Sequence, residues 1–192
     1  MKGKIDEKAI SEGFKLIIEK GLGLDLKDQN LKETPERVAR AYKEIFSSLE
    51  TNEEEVNKIL SSYFETSYEG IVLEKDITVF SMCPHHFLPV RYEVSIGYIP
   101  NGYGLGLSKL CRIIELIAKK PMLQEDFNQE IVDLLYKKLN AKGAICVVKG
   151  EHHCMRMRGA KQKDVVTTTS AVKGIFLTEK EMEIKFYELL KV

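Results

Sequence analysis

Hydrophobic side chains recur every three or four residues through the first third of the chain. That spacing is typical of amphipathic helices, and the glycines at positions 21 and 23 are expected to end the first helix. A second helix is predicted to begin at Thr34-Pro35, with Thr34 as the N-cap and proline in the first turn. Together with a short acidic helix at about 52–62, these elements predict an N-terminal helical segment over residues 1–65.

The spacing changes near residue 70, where apolar and polar residues begin to alternate one by one. Such alternation predicts half-buried strands, at residues 77–82, 90–98, 144–149, 151–157 and about 165–172. Two amphipathic helical stretches separated by Pro121 follow the second strand, and a capping-box sequence beginning at Thr178 predicts a last helix. Strands that read as antiparallel, combined with separate helices, indicate the α+β class, with a second domain over residues 66–192.

Composition excludes several classes of protein. The chain carries 29 basic and 29 acidic side chains and no net charge, so bulk attraction to nucleic acid or to an anionic membrane is not expected. A hydrophobic fraction of 44% is enough to form an ordinary folded core. The charged N-terminus lacks the apolar stretch of a secretory signal, and no apolar run is long enough for a membrane span. We therefore expect a cytoplasmic location.

All four histidines lie close to cysteines. They occur in Cys83-Pro84-His85-His86 and in His152-His153-Cys154. Two residues between Cys83 and His86 allow a single turn to aim both side chains at one ion. If the second segment is extended, Cys154 and His152 share a face and His153 points away. Thiolate and imidazole together are ligands that suit zinc.

The spacing leaves the kind of site open. A closed site with two cysteines and two histidines would be structural, whereas three protein ligands would leave a position for water. The open site is favoured because His85 and His152 are then both left over beside a ligand. Coincidence and a Cys83–Cys154 disulfide are the remaining readings. The other two cysteines, Cys111 and Cys146, are expected to be small buried residues.

Further polar residues stand at predicted helix starts. Ser108, Lys109 and Arg112 could bind a phosphate with the help of helix N–H groups, although taken alone they are better explained by a plain N-cap with solvated charges. Gln124 and Glu125 open the next helix, where a carboxylate is favoured by the dipole in any case. Taken alone, Arg37 and Arg40 read as solvated charges.

These motifs, taken in order, resemble those of the GTP cyclohydrolase I family over roughly residues 30–177. They are the Cys-x-His-His of residues 83–86, Gly106-Leu107-Ser108-Lys109, Gln124-Glu125, and the His-x-Cys of 152–154 followed by Arg158-Gly159. The resemblance departs in two places, since Pro84 and His153 stand where other residues are more common. Neither departure removes a required group.

The resemblance implies specific roles for these residues. Zinc is expected on Cys83, His86 and Cys154, with His85, His152 and Ser108 as catalytic residues. Guanine is expected on Glu125 with Gln124 beside it. The expected triphosphate ligands are Lys109, Arg112, Arg158, Arg37 and Arg40.

The implied reaction converts GTP and water to 7,8-dihydroneopterin triphosphate and formate, the first step of folate or pterin biosynthesis. Zinc-activated hydroxide would attack C8 of the purine, and His152 would act as the general acid. The implied fold is the tunnelling fold, a four-stranded antiparallel sheet with a helix pair between strands two and three. The implied assembly is a homodecamer with interfacial active sites. The alternatives are a tunnelling-fold paralogue acting on a related purine or pterin, and a zinc-stabilised binding module without turnover.

Overall fold

The computed structural model describes residues 4–51 and 53–192. The chain divides into two compact units between Thr51 and Asn52. The predicted boundary after residue 65 separates a helical segment from a catalytic domain, and it stays a prediction. Within the described ranges, no helix is both long and apolar enough to cross a membrane.

The first unit is helical, as predicted. It contains α1 (Glu7–Leu16), which continues as a π-helical turn, then α2 (Thr34–Ile45) and a 3-10 turn at Ser47–Leu49. Edge-to-face aromatic contacts link Phe14 of α1 to Tyr42 of α2, with ring centroids 5.4 Å apart.

The N-cap predicted at Thr34 is wrong. Glu33 holds the cap position of α2 without a side-chain hydrogen bond, and Thr34 lies inside the helix. The Thr34 hydroxyl instead donates to the carbonyl of Asn30, at 3.4 Å. The Thr34 hydroxyl is therefore bonded to the turn before α2 and does not cap the helix.

The second unit combines strands and helices. Its elements are α3 (Glu53–Leu60), β1 (Tyr63–Glu65), β2 (Val72–Met82), β3 (Pro89–Ile99), β4 (Tyr103–Leu105), α4 (Leu107–Ala118), α5 (Gln124–Lys138), β5 (Gly143–His152), α6 (His153–Arg156), β6 (Thr167–Gly174), α7 (Ile175–Thr178) and α8 (Lys180–Leu190). Strands β1 and β4 form a small separate ladder.

The main sheet has the order β2-β3-β5-β6, and every neighbouring pair is antiparallel. The helix pair α4 and α5 connects β3 to β5, the second and third strands of this sheet. The predicted α+β class and the tunnelling-fold arrangement are therefore confirmed.

The two faces of the sheet are covered by different helices. The side chains of β3 that alternate inward are at most 1% exposed and pack in one core with α4 and α5; they are Val90, Tyr92, Val94, Ile96 and Tyr98. On β5, Ile145 and Val147 belong instead to a smaller core with Phe176 and Phe186 from α7 and α8. Burial on both faces explains why β5 reads as a nearly continuous apolar run.

Three local predictions were wrong. The strand expected at 151–157 ends at His152, where α6 begins. The capping box at Thr178 does not form, because α7 ends at that residue and Glu179 caps α8 without a side-chain bond. Cys111 is exposed, with its thiol 3.6 Å from Glu74, whereas Cys146 is buried as expected.

Candidate metal centre and catalytic cleft

The first half of the cysteine–histidine cluster lies on the tight loop between β2 and β3. The loop is closed by two backbone hydrogen bonds, from Cys83 N–H to Leu88 O and from Phe87 N–H to Cys83 O, each 2.9 Å. Phe87 takes a φ of 50°, in the left-handed region, which non-glycine residues rarely adopt. The loop turns Cys83 into the core and leaves His85 and His86 exposed.

The second half of the cluster follows the end of β5. His152 pairs with Val90 of β3, next to the β2–β3 pair Met82–Pro89, so the sheet register places the two segments side by side. The chain then turns into α6, which carries Cys154. The extended conformation assumed for 152–154 was wrong, yet the two segments meet as predicted.

Three ligand atoms converge where the segments meet. Those of Cys83, His86 and Cys154 lie within 4.8 Å of one another, and Cys83 Sγ is 3.9 Å from His86 Nδ1. Zinc–sulfur bonds of about 2.3 Å place two tetrahedral sulfur ligands about 3.8 Å apart. The group therefore fits a zinc ion with small adjustments, and all four cysteines of the chain are free thiols. His85 Nδ1 lies 3.8 Å from Cys83 Sγ, beside the ligands.

The electrostatics of the thiols also favour a bound cation. Burial raises the pKa of Cys154, and the adjacent Cys83 raises it further, while Arg158 acts in the opposite direction. A thiol that resists ionisation beside a second thiol needs a positive charge to become a thiolate. A divalent cation held between them supplies that charge.

A cleft of about 250 Å³ opens beside the three ligands. The predicted site residues that line it are Cys83, His85, His86, Gln124, Glu125, His152 and Cys154. Loop 83–88, the start of α5 and the β5–α6 junction thus bring seven of the thirteen predicted residues into one place.

His152 is held by a hydrogen bond to Gln124. The imidazole Nε2 lies 2.8 Å from Gln124 Oε1, while Gln124 Nε2 donates to the carbonyls of Val148 and Thr167 at 3.0 and 2.9 Å. Because the amide nitrogen is committed as a donor, Oε1 must accept, and His152 must carry a proton on Nε2. Burial lowers the pKa of His152, against a smaller opposing effect of Glu125. A neutral imidazole with Nδ1 as its basic nitrogen is therefore favoured.

Gly150 makes room for this hydrogen bond. A Cβ at position 150 would lie 2.1 Å from Gln124 Oε1 and 3.0 Å from His152 Nε2. Any side chain here would push the amide away from the imidazole. Gly150 was not among the predicted site residues, although a glycine inside a strand, two residues before a candidate catalytic histidine, signals close approach of another group.

A sequence profile described as GTP cyclohydrolase I matches residues 10–191. The chain belongs to the GTP cyclohydrolase I family. GTP cyclohydrolase 1 of Clostridium perfringens (strain 13 / Type A) is 44% identical over 188 residues, which cover 98% of this chain and all of the relative. The Streptococcus pneumoniae (strain ATCC 700669 / Spain 23F-1) enzyme of the same name is 44% identical over 186 residues, or 97% and 99% of the two chains.

Two solved structures resemble part of the chain. The archaeosine synthase QueF-Like, in the apo form, has a TM-score of 0.45 at 20% identity and covers 55% of this chain and 94% of its own. A dihydroneopterin aldolase from Burkholderia thailendensis, bound to guanine, has a TM-score of 0.36 at 9% identity and covers 60% and 93%.

Three residues that the GTP cyclohydrolase I resemblance assigns to catalysis or to triphosphate binding lie at the N-terminal end of α4, away from the cleft. Ser108, Lys109 and Arg112 occupy its first turns. The segment after its far end lies against β2, where the Ser81 hydroxyl donates to Lys120 O at 3.2 Å, and it then reaches the cleft at Met122 and Leu123. A helix of 12 residues is about 18 Å long, so these three side chains are roughly one helix length from the cleft of their own chain.

The remaining predicted residues are exposed. Arg158 follows α6, close enough to Cys154 to affect its pKa. Arg37 and Arg40 lie on α2 in the first unit, where Arg37 is paired with Glu33 at 2.7 Å. Their assignment to the triphosphate stays a prediction.

His153, the histidine without an assigned role, contacts β3 and is not a member of the ligand group. Its Nδ1 lies 3.1 Å from the carbonyl of Pro89 at the start of β3. His153 therefore attaches α6 to the neighbouring strand, and the ligand group does not include it.

Proposed function

We propose that the chain is a zinc-dependent GTP cyclohydrolase that converts GTP and water to 7,8-dihydroneopterin triphosphate and formate. The observation that carries the proposal is a three-ligand metal group beside an imidazole that is no ligand but is fixed by its own hydrogen bond. A structural metal site needs no such histidine. A hydrolytic site needs a group that moves protons next to the metal.

Cys83, His86 and Cys154 would hold the ion. Zinc bound there supplies Lewis acidity and makes water a stronger nucleophile near neutral pH. His85 lies beside Cys83, at the exposed rim of the cleft, and is placed to exchange protons with substrate. These positions agree with the catalytic roles that the family resemblance assigns.

His152 would take and return a proton through Nδ1. Its Nε2–H is held by Gln124, so Nδ1 is the nitrogen that can exchange a proton with water or with the opening imidazole ring of the purine. Its lowered pKa means that it begins neutral at pH 7 and must gain a proton before it acts as an acid. This order agrees with a hydrolysis in which water loses a proton before the ring nitrogen gains one.

Glu125 would recognise the guanine. It lies in the first turn of α5, is exposed and lines the cleft. A carboxylate has two acceptor oxygens and can accept the two adjacent N–H groups of a guanine edge. Bound in this way at one end, the purine is oriented towards the metal ligands.

We propose that the triphosphate is bound partly by a second copy of the chain, in a homodecamer with interfacial active sites. Supporting this, the cleft lies beyond the C-terminal end of α4, whereas Ser108, Lys109 and Arg112 lie in its first turns and do not line the cleft. A neighbouring subunit could present Ser108, Lys109 and Arg112 at the open side of the cleft. The cytoplasmic location expected from the sequence stays a prediction.

The test incubates purified, zinc-loaded protein with GTP. Formate release is measured directly, and the pterin is detected as neopterin fluorescence after oxidation and dephosphorylation. We expect one formate per pterin formed, and a metal-stripped sample as control should give neither. Zinc-loaded protein that gives neither formate nor pterin would exclude the enzyme and leave a zinc-stabilised binding module. Formate without neopterin would indicate a paralogue that opens the ring and releases C8 as formate but does not close the pterin ring.

A further inference from the structure

The short helix α6 carries the metal ligand Cys154 but has little stability of its own. It spans only His153–Arg156, and its turn is closed by the bond from Met157 N–H to His153 O, at 3.0 Å. The described residues provide no side-chain cap at its start. One turn of helix fixes several backbone dihedrals for one hydrogen bond and is unfavourable by itself. Contacts with the rest of the chain must therefore hold α6, and with it the sulfur of Cys154.

A carboxylate three residues before Cys154 provides the first of these contacts. Arg156 Nη1, on α6, donates to Glu151 Oε2 at 2.6 Å. The other oxygen, Glu151 Oε1, accepts from Arg91 Nη1 of β3 at 3.2 Å. Arg91 Nη2 in turn donates to the hydroxyl of Thr78 on β2, at 3.3 Å. The carboxylate of Glu151 thus joins α6 to β3, and through Arg91 to β2.

The contact between Glu151 and Arg156 is half-buried. The two side chains are 28% and 25% exposed, and Arg156 Nε is buried without a hydrogen-bond partner in the described parts of the chain. A guanidinium in such a place keeps an uncompensated charge if its carboxylate is removed. The position of Arg156 is therefore set by Glu151, and solvent cannot fully replace it.

Glu151 acts from behind the cleft. Alternation along β5 places Glu151 and His152 on opposite faces of the strand, and Glu151 is not among the described residues that line the cleft. On the β3 side, His153 Nδ1 contacts the carbonyl of Pro89 at 3.1 Å. The helix is thus fastened at its first and last residues, with Cys154 between them.

We propose that Glu151 is a positioning residue for the metal centre. Its carboxylate, held by Arg91, fixes Arg156 and thereby the orientation in which α6 presents Cys154 to the other two ligands. The inference rests on the proposed zinc site. Metal affinity depends on the groups that orient the ligands as well as on the ligands themselves.

Glu151→Gln keeps the size of the side chain and removes the charge that pairs with both arginines. Zinc affinity should fall about 10-fold, because the Cys154 sulfur is no longer held in place before the ion binds. Arg156→Met should give a similar loss. The double variant should lose little more than either single one, since both changes remove the same contact. The KM for GTP at saturating zinc should be unchanged, because Glu151 does not line the cleft.

The chain offers a matched control in the ion pair of Glu93 with Lys149. Lys149 Nζ lies 2.8 Å from Glu93 Oε1, and the pair joins β3 to β5 on the same face, two residues from the contact of Arg91 with Glu151. This pair does not involve α6. Glu93→Gln should therefore leave zinc affinity unchanged, although it removes the same chemical group from the same two strands.

The test strips the full chain of metal and titrates it with zinc against a chromophoric chelator, without GTP. Cobalt gives a second reading: the thiolate-to-cobalt charge-transfer band should weaken in Glu151→Gln and not in Glu93→Gln, because one of the two thiolates is then misplaced. Arg156→Met, which leaves the contact of Arg91 with Glu151 in place, carries the same test if Glu151→Gln does not fold.

Unchanged zinc affinity in the Glu151 and Arg156 variants, or an equal loss in Glu93→Gln, would overturn the proposal. Unchanged affinity combined with a lower kcat would also overturn it and assign Glu151 to His152 instead. Wild-type protein that binds zinc but forms no pterin would refute the proposed activity alone, since the titration contains no GTP. Wild-type protein that takes up no zinc would overturn the metal site and this proposal together.

Discussion

His152 and Cys154 are two residues apart but have different tasks in the proposed site. Cys154 contributes a sulfur to the ligand group, whereas His152 is bonded to Gln124 and is not part of that group. Cys154→Ala should therefore lose zinc, and His152→Ala should keep a full zinc ion and lose at least about 100-fold in kcat. Metal analysis after gel filtration, together with formate release, distinguishes the two variants. Loss of zinc from His152→Ala would show that the ligand assignment is wrong.

Gln124 provides the next prediction, because its two proposed roles give different kinetics. If it holds the His152 proton on Nε2, Gln124→Leu should reduce kcat about 100-fold with little change in KM for GTP. If it contacts guanine, as the family resemblance suggested, KM should rise instead. Gly150→Ala should reproduce the kcat loss, since its Cβ would displace the Gln124 amide. Gly13→Ala is the control, because a Cβ there meets nothing within 4 Å.

The tautomer of His152 can also be observed directly. Nitrogen-15 spectra of the metal-loaded protein should show the proton on Nε2 in the wild type. The spectra of Gln124→Leu and Gly150→Ala should show a mixture of tautomers. A His152 that keeps one tautomer in both variants would mean that Gln124 does not fix it.

At the scale of elements, α5 fastens the edge strand β6 to the sheet. Asn128 is 0% exposed and donates to Cys146 O on β5 and Thr169 O on β6, at 3.2 and 3.1 Å. One turn further on, Asp133 pairs with Lys173 of β6 and with Lys137 at 3.4 Å. The same helix carries Gln124 and Glu125 in its first turn. The contacts that hold β6 against α5 therefore also help to position these two cleft residues.

The Asp133 contacts predict a small pH dependence of stability. The hydrogen bond from Lys173 is the largest cause of the lowered pKa of Asp133. A carboxyl whose folded pKa is depressed stabilises the fold above its unfolded pKa of about 3.9 and loses that contribution as pH falls through the folded value. Asp133→Asn should therefore cost about 0.5 kcal/mol at pH 7, in the range of surface ion pairs.

Urea unfolding at several pH values checks this prediction. The difference in free energy of unfolding between wild type and Asp133→Asn should shrink as the pH falls below about 3.9 and close once Asp133 is protonated in the folded protein. Lys173→Met should show a similar loss at pH 7, and the double variant should lose less than the sum of the two. A gap that persists unchanged at pH 2 would assign the effect to packing and not to charge.

The strongest sequence signals were periodicity and spacing, and both concern local patterns. They predicted the sheet strands β2 and β3, the helix pair and the meeting of the two cysteine–histidine segments. They failed at residues 153–157, because alternating residues do not show where a strand ends. The chain leaves β5 at His152 and turns into α6. They also failed at Cys111, which was predicted to be buried and is exposed. The apolar pattern of α4 did not show which face of the helix packs on the sheet.

Other features depend on contacts between distant parts of the chain. The hydrogen bond of Gln124 to His152 joins residues 28 positions apart, and no local pattern indicates it. The ion pair of Glu151 with Arg91 is similarly hidden, because its partners are 60 positions apart. Both features concern polar side chains beside a core whose apolar pattern was predictable.

At the scale of the whole molecule, the question is whether one chain can form a complete site. The cleft lies beyond the C-terminal end of α4, whereas Ser108, Lys109 and Arg112 lie in its first turns, about 18 Å away along the helix. If each active site combines the cleft of one copy with α4 of another, two inactive variants should complement each other. His152→Ala damages only the cleft, and the double variant Lys109→Ala, Arg112→Ala damages only the start of α4.

Co-expression of these two variants with different tags, followed by purification on both tags, should give mixed oligomers with measurable GTP cyclohydrolase activity. Random mixing in equal amounts leaves about one quarter of the sites with both halves intact, so activity should approach about one quarter of wild type. His152→Ala mixed with Cys154→Ala is the control and should stay inactive, because both changes damage the cleft. Mixed oligomers without activity in the first pair would mean that each chain builds its site alone, since then no combination of the two variants contains a complete one.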